Sequence, residues 1–105
     1  MVEQLTDAKF KAEVEDKGGV AVVDFWAVWC GPCQAMGPNV EALAEEFEGK
    51  ARFYKMDVDA EREVPSQFGI MSIPTLLFFK DGAVVQKSVG LKSKEQLAQI
   101  LNSLV

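Results

Sequence analysis

The stretch Val20–Cys33, VAVVDFWAVWCGPC, decides how the rest of the chain is arranged. Val20–Trp26 is an apolar run rich in β-branched and aromatic residues, interrupted by a single acid, Asp24. Its length and make-up predict a buried strand. A short aromatic loop follows, then Cys30 and Cys33 with Gly31 and Pro32 between them. Pro32 suits the first turn of a helix, where its missing N–H has no partner to lose. The stretch therefore predicts a strand, a loop and a helix N-terminus, with Cys30 at the junction and Cys33 one turn in.

The remaining segments read as scaffold around that junction. Val2–Leu5 is a candidate edge strand. Thr6 is placed to cap a helix over Asp7–Lys17, with Leu5 and Phe10 at the spacing of a hydrophobic staple and Gly18-Gly19 as its stop. A long helix runs from Pro32 to Phe47, with Val40, Leu43, Ala44 and Phe47 on one stripe; Pro38 inside it predicts a kink. Ala51–Asp57 reads as a strand, and Asp59 as the cap of a short helix over Ala60–Gln67, weakened by Pro65. Thr75–Lys80, the hairpin signal Asp81-Gly82 and Val84–Val89 form a strand pair. Ser93 and Gln96 make a capping box for a last helix, Lys94–Leu104. The order βαβαβαββα predicts an α/β fold with parallel crossovers first and an antiparallel hairpin at the end.

Composition narrows the function. At 105 residues with 49% hydrophobic residues, the chain predicts one domain with a packed core. A net charge of −5 argues against nucleic-acid and anionic-membrane partners. No apolar run approaches the roughly 18 residues of a membrane span. No leader is visible in MVEQLTDAKF, so the expectation is a cytoplasmic protein. With no histidine and only two cysteines, Cys/His proteases and the usual zinc ligand sets are excluded. A close cysteine pair in a reducing compartment points to catalysis rather than to a structural bridge.

That chemistry is thiol–disulfide exchange, in which a thiolate attacks a disulfide sulfur and a second thiol resolves the mixed disulfide. Spacing of three on a helix puts both sulfurs on one face. Cys30, at the positive end of the helix, is the expected nucleophile; Cys33, expected to be more shielded and less acidic, is the resolving thiol. Asp24, in an apolar strand, should have a raised pKa and suits the role of proton acceptor from Cys33. The residues alone leave open a plainer reading, a buried acid satisfied by a hydroxyl or by Lys55.

DFWAVWCGPC, together with Pro38, Lys55, Ile73-Pro74-Thr75, Asp81-Gly82 and Gly90, resembles the thioredoxin family, and the likeness runs from Phe10 to Leu104. WCGPC is its most specific part. The resemblance implies a thioredoxin fold over 1–105, a mixed sheet of about five strands flanked by four helices. It implies a general protein-disulfide reductase and electron carrier, regenerated by a thioredoxin reductase that draws on NADPH, or else by a ferredoxin-linked one. The sulfur pair itself carries the electrons, with no bound cofactor and no metal, and a monomer is expected. The resemblance favours the proton-transfer role of Asp24, sets Lys55 beside it, and makes the Ile73–Pro74 bond cis. It groups Trp29, Gly31, Pro32, Ile73, Pro74, Val89 and Gly90 into a substrate surface for protein segments bearing disulfides, with Trp26 supporting it from beneath. Gln34 and Met71-Ser72 depart from residues common in the family and bear on partner choice. The rival readings are a thioredoxin-fold binding subunit with incidental cysteines, and a disulfide oxidase or isomerase.

Overall fold

A computed structural model describes all residues, 1–105. One five-stranded mixed sheet carries the chain: β1 (Val2–Gln4), β2 (Val20–Trp26), β3 (Ala51–Asp57), β4 (Thr75–Lys80) and β5 (Ala83–Val89). Their spatial order is β1-β3-β2-β4-β5, so the strand that leads into the cysteines is the central one. β1 and β2 run parallel to β3, while β4 is antiparallel to both β2 and β5. The helices are α1 (Asp7–Phe10), α2 (Gly31–Glu46), α3 (Glu63–Gln67) and α4 (Lys94–Asn102). This is the five-strand, four-helix thioredoxin architecture. No helix is long and apolar enough to cross a membrane.

Alternation along β2 splits the core in two. Val20 and Val22 face α2 and α4, packing with Met36, Val40, Leu43, Ala44, Phe47, Leu97 and Leu101. Ala21, Val23 and Phe25 face the other way, onto Leu5, Phe10, Val14, Tyr54 and Phe79. The predicted stripe of α2 is thus a core face, α4 turns Leu97 and Leu101 onto the same side, and the Leu5–Phe10 staple is buried. Asp24 continues the Val20–Val22 side, so a carboxyl group ends an otherwise apolar column under α2.

Several local expectations are corrected by contacts from distant segments. The first helix is not one α-helix over Asp7–Lys17: after Phe10 the chain widens into π turns over Lys11–Glu15, closed by Asp16 N–H donating to the Lys11 carbonyl at 2.8 Å. Thr6 has the extended backbone of an N-cap but makes no side-chain bond. Instead the Glu61 carboxylate accepts the Asp7 N–H at 2.8 Å. Asp7 returns the favour, accepting from the N–H groups of Glu63 (3.1 Å) and Val64 (2.9 Å) at the start of α3. So α3 begins at Glu63 rather than Ala60, and Asp59 does not cap it. Pro65 does not weaken it either, since it lies in the first turn, where the amide has no intrahelical partner. α2 starts one residue before Pro32, β1 and α4 stop short of Leu5 and Leu104, and β5 begins at Ala83.

The hairpin signal is correct in detail. Asp81 and Gly82 both have positive φ, 51° and 88°, as a two-residue type I′ turn requires. Gly82 has a second reason to be glycine, because a Cβ there would run into the Glu15 carbonyl oxygen. Asp81 also accepts the Gly19 N–H at 2.8 Å, fastening the turn to the entrance of β2.

Candidate active site

Cys30 is the N-cap of α2, and Cys33 lies in its first turn with a Cα–Cα distance of 5.2 Å. The two form a disulfide. Local sequence accounts for this: Cys30 is extended, Gly31 and Pro32 enter the helix without demanding partners, and Cys33 comes back over Cys30. As whole residues the two are about equally buried in this oxidised state, Cys30 4% and Cys33 5% exposed. What separates them is electrostatic. The Cys33 N–H donates to the Cys30 Sγ at 3.2 Å, one of the free amides of a helix start. That bond and the helix dipole favour negative charge on Cys30. Cys33 has a different neighbour: with Asp24, Trp26, Gln34, Gly37 and Lys55 it walls a recess of about 180 Å³.

Asp24 is 6% exposed, and its Oδ1 has no hydrogen-bond partner. Burial pushes its pKa up from 3.8 to about 7, and the Lys55 charge holds it from going further. The parallel register of β2 and β3 sets Lys55 directly opposite Asp24. Its ammonium makes no ion pair with the carboxylate and sits 5.5 Å from the centroid of the Trp26 ring. Asp24 is therefore a buried acid satisfied by neither a hydroxyl nor an ion pair, and half ionised near neutral pH.

The other predicted residues meet at the same end of the sheet. Ile73 packs on the Ala27, Cys30 and Cys33 cluster, and the Ile73–Pro74 bond is cis. The Pro74 carbonyl accepts the Gly90 N–H at 2.8 Å, which ties Gly90 to the Ile73–Pro74 segment. Gly31 and Pro32 are exposed at the mouth of α2. Trp29 is 71% exposed, its indole N–H held by Asp59 Oδ2 at 2.7 Å. That role for Asp59 was invisible in the sequence, where it read as a helix cap. Val28, Met71 and Leu91 also stand exposed beside these residues. Sequence reasoning did not single out Val28 and Leu91; their signal was an apolar side chain next to a loop residue already assigned to the surface.

The thioredoxin family profile matches residues 1–103. The chain belongs to the thioredoxin family. Proteins named thioredoxin from Staphylococcus aureus strains Mu50, MW2 and USA300 are each 50% identical to it over 99 residues, spanning 94% of this chain and 93% of each relative. Membership of the thioredoxin family and the Cys30–Cys33 disulfide make this a thiol–disulfide oxidoreductase with a protein-disulfide reductase role. The structure contains no cluster of three or more His, Cys, Asp or Glu side chains suited to a metal.

Proposed function

We propose that Cys30 is the nucleophile, Cys33 the resolving thiol and Asp24 the group that takes the Cys33 proton. The observation carrying this is the shared recess: Asp24 and Cys33 wall the same small space, while the Cys33 amide serves the Cys30 sulfur. In the reduced protein the Cys30 thiolate attacks one sulfur of a target disulfide. That S–S bond breaks, and its electron pair leaves on the other target sulfur. Asp24 then accepts the proton of the Cys33 thiol, and the resulting thiolate attacks Cys30 Sγ. The Cys30–target bond breaks and its electron pair leaves on the released target thiolate. The target gains two electrons and the Cys30–Cys33 pair loses two. Lys55 acts at long range, keeping the Asp24 pKa near neutrality, where an acid–base group is most effective.

The apolar face of Trp29, Gly31, Pro32, Ile73, Pro74, Val89 and Gly90 is the docking surface for extended segments of target proteins, with glycines allowing backbone approach. A thioredoxin reductase drawing on NADPH restores the dithiol, and the chain works as a single-domain monomer in the cytoplasm. Neither nucleic acid nor membrane is a partner, in keeping with the net charge of −5. Cys33→Ser should trap targets as mixed disulfides on Cys30, visible as reductant-sensitive adducts on gels. Absence of adducts, with Cys30 still alkylated by iodoacetamide, would overturn the assignment. A binding subunit with incidental cysteines predicts instead that Cys30→Ser, Cys33→Ser leaves function intact.

A further inference from the structure

At Gly90 the apolar docking face borders on a charge. β5 ends at Val89, and the chain passes through Gly90 and Leu91 to Lys92, just before the cap of α4 at Ser93. The Lys92 ammonium reaches back and donates to the Val89 carbonyl at 2.6 Å. It comes within 3.8 Å of the place where a Cβ on Gly90 would stand. A cation therefore lies beside the glycine whose missing side chain lets a target backbone come close.

The loop that carries this cation is fixed to the cysteine helix. The Lys92 N–H donates to Met36 Sδ at 3.4 Å, and the Asn39 side-chain amide donates to the Lys92 carbonyl at 2.9 Å. Met36 and Asn39 both belong to α2, which begins at the cysteines. With its backbone tied at both polar groups and its tip on Val89, the side chain has lost much of its freedom before a target arrives. No carboxylate neutralises it: the ion pairs of the fold are Lys11–Asp16, Lys17–Glu13 and Lys94–Glu46. In a chain with 16 acidic residues and a net charge of −5, an unpaired ammonium at this position is a local exception. Val89 takes one of its N–H groups and leaves the others for a partner.

We propose that Lys92 selects target segments that carry an acidic side chain beside the disulfide and disfavours basic ones. The target carboxylate pairs with the free N–H groups of the ammonium at the rim of the face, where a charge acts mainly on encounter rate and salt dependence. The face also holds a negative charge, Asp59 on the Trp29 indole, so an acid is favoured at Gly90 and not at Trp29. The selection rests on the docking surface proposed above and adds a charge preference to it.

The probes are disulfide-bridged peptides with Glu, Gln or Lys at one position, scanned along the residues on either side of a cysteine. Their second-order rate of reduction by the dithiol protein is followed by tryptophan fluorescence at low salt. At the position that meets Lys92, the Glu-to-Lys rate ratio should fall about fivefold in Lys92→Met, since one exposed attraction and one exposed repulsion are both lost. Lys92→Glu should lower it further, the Gln peptide should keep the parental rate, and added salt should shrink the difference between parent and Lys92→Met. Lys50→Met removes the same charge at the far end of the sheet, next to where Ala51 pairs with the first residue of β2. It should leave the ratio within about twofold of the parent, because salt and distance screen it. An unchanged ratio in Lys92→Met, an equal shift in Lys50→Met, or equal slowing of all three peptides by Lys92→Met refutes the selection. Trp29→Ala and Val89→Ala test the face itself. If they leave every peptide at the parental rate, the face is misplaced and the selection falls with it. If they slow the peptides while the ratio ignores Lys92, the face stands and only the selection is lost.

Discussion

Replacing Asp24 by Asn in the oxidised protein isolates the energetic penalty of burying an acid in the central strand. The Cys30–Cys33 disulfide removes both thiols from the titration, so the difference between parent and variant reports Asp24. Its folded-state pKa, about 7, lies above the ordinary 3.8, so the unfolded chain releases the proton first as pH rises. Below about pH 4 both states are protonated and there is no penalty. From there up to about pH 7 the parent loses stability progressively, and above 7 the loss is complete. Carried from 3.8 to about 7 at roughly 1.4 kcal/mol per pH unit, the loss is about 4 kcal/mol. The Asn variant lacks this titration, so its stability relative to the parent should grow by that amount between pH 4 and pH 8.5. In guanidinium denaturation, with a slope of about 3 kcal/mol per molar for a chain of this size, the midpoints should separate by a further ~1.3 M over that range. Any fixed difference caused by the buried amide is the same at every pH and drops out. Midpoints that stay a constant distance apart from pH 4 to 8.5 would refute the view that Asp24 is held neutral by burial.

Other consequences can be checked independently. The rate of the resolving step should rise with pH through an inflection near 7, because the proton acceptor must be ionised; Asp24→Asn should flatten that limb. Lys55→Met should move the inflection to higher pH, since the Lys55 charge is what lowers the Asp24 pKa. Gly82→Ala should destabilise the fold by roughly 2–3 kcal/mol in thermal or chemical unfolding, from strained positive φ together with the Glu15 carbonyl contact. Asp7→Ala should remove about 1–2 kcal/mol by uncapping α3, although the two lie more than fifty residues apart; an effect confined to α1 would contradict the structure. Ser93→Ala should lose about 1 kcal/mol, as the capping box around Ser93 and Gln96 is complete.

Most of the site was legible because its chemistry is local. Cys30, Gly31, Pro32 and Cys33 need only the strand-to-helix junction that Val20–Trp26 and the α2 stripe specify, and Ser93-Gln96 and Asp81-Gly82 carry their own geometry within four residues. Local spacing also gave the core face of α2, since its 3.6-residue period depends on neighbouring side chains alone, whereas the split of the continuous apolar run of β2 between two core faces came only with the sheet. Where local reading failed, a distant partner had taken over. Thr6 and Asp59 are good caps by residue type, yet Glu61 and Asp7 satisfy those helix starts across the fold. Asp59 was left free to hold the Trp29 indole.

The sequence by itself determined the strand–loop–helix junction, the cysteine pair on one helix face and the presence of one acid in an apolar strand. Tertiary structure alone decided the surroundings of that acid. Strand register brings Lys55 opposite Asp24, packing withholds every direct partner from its Oδ1, and the fold sets Asp24 and Cys33 on the wall of one recess. Propensity and periodicity act over a few residues, whereas desolvation and charge act through space on whatever the fold brings near.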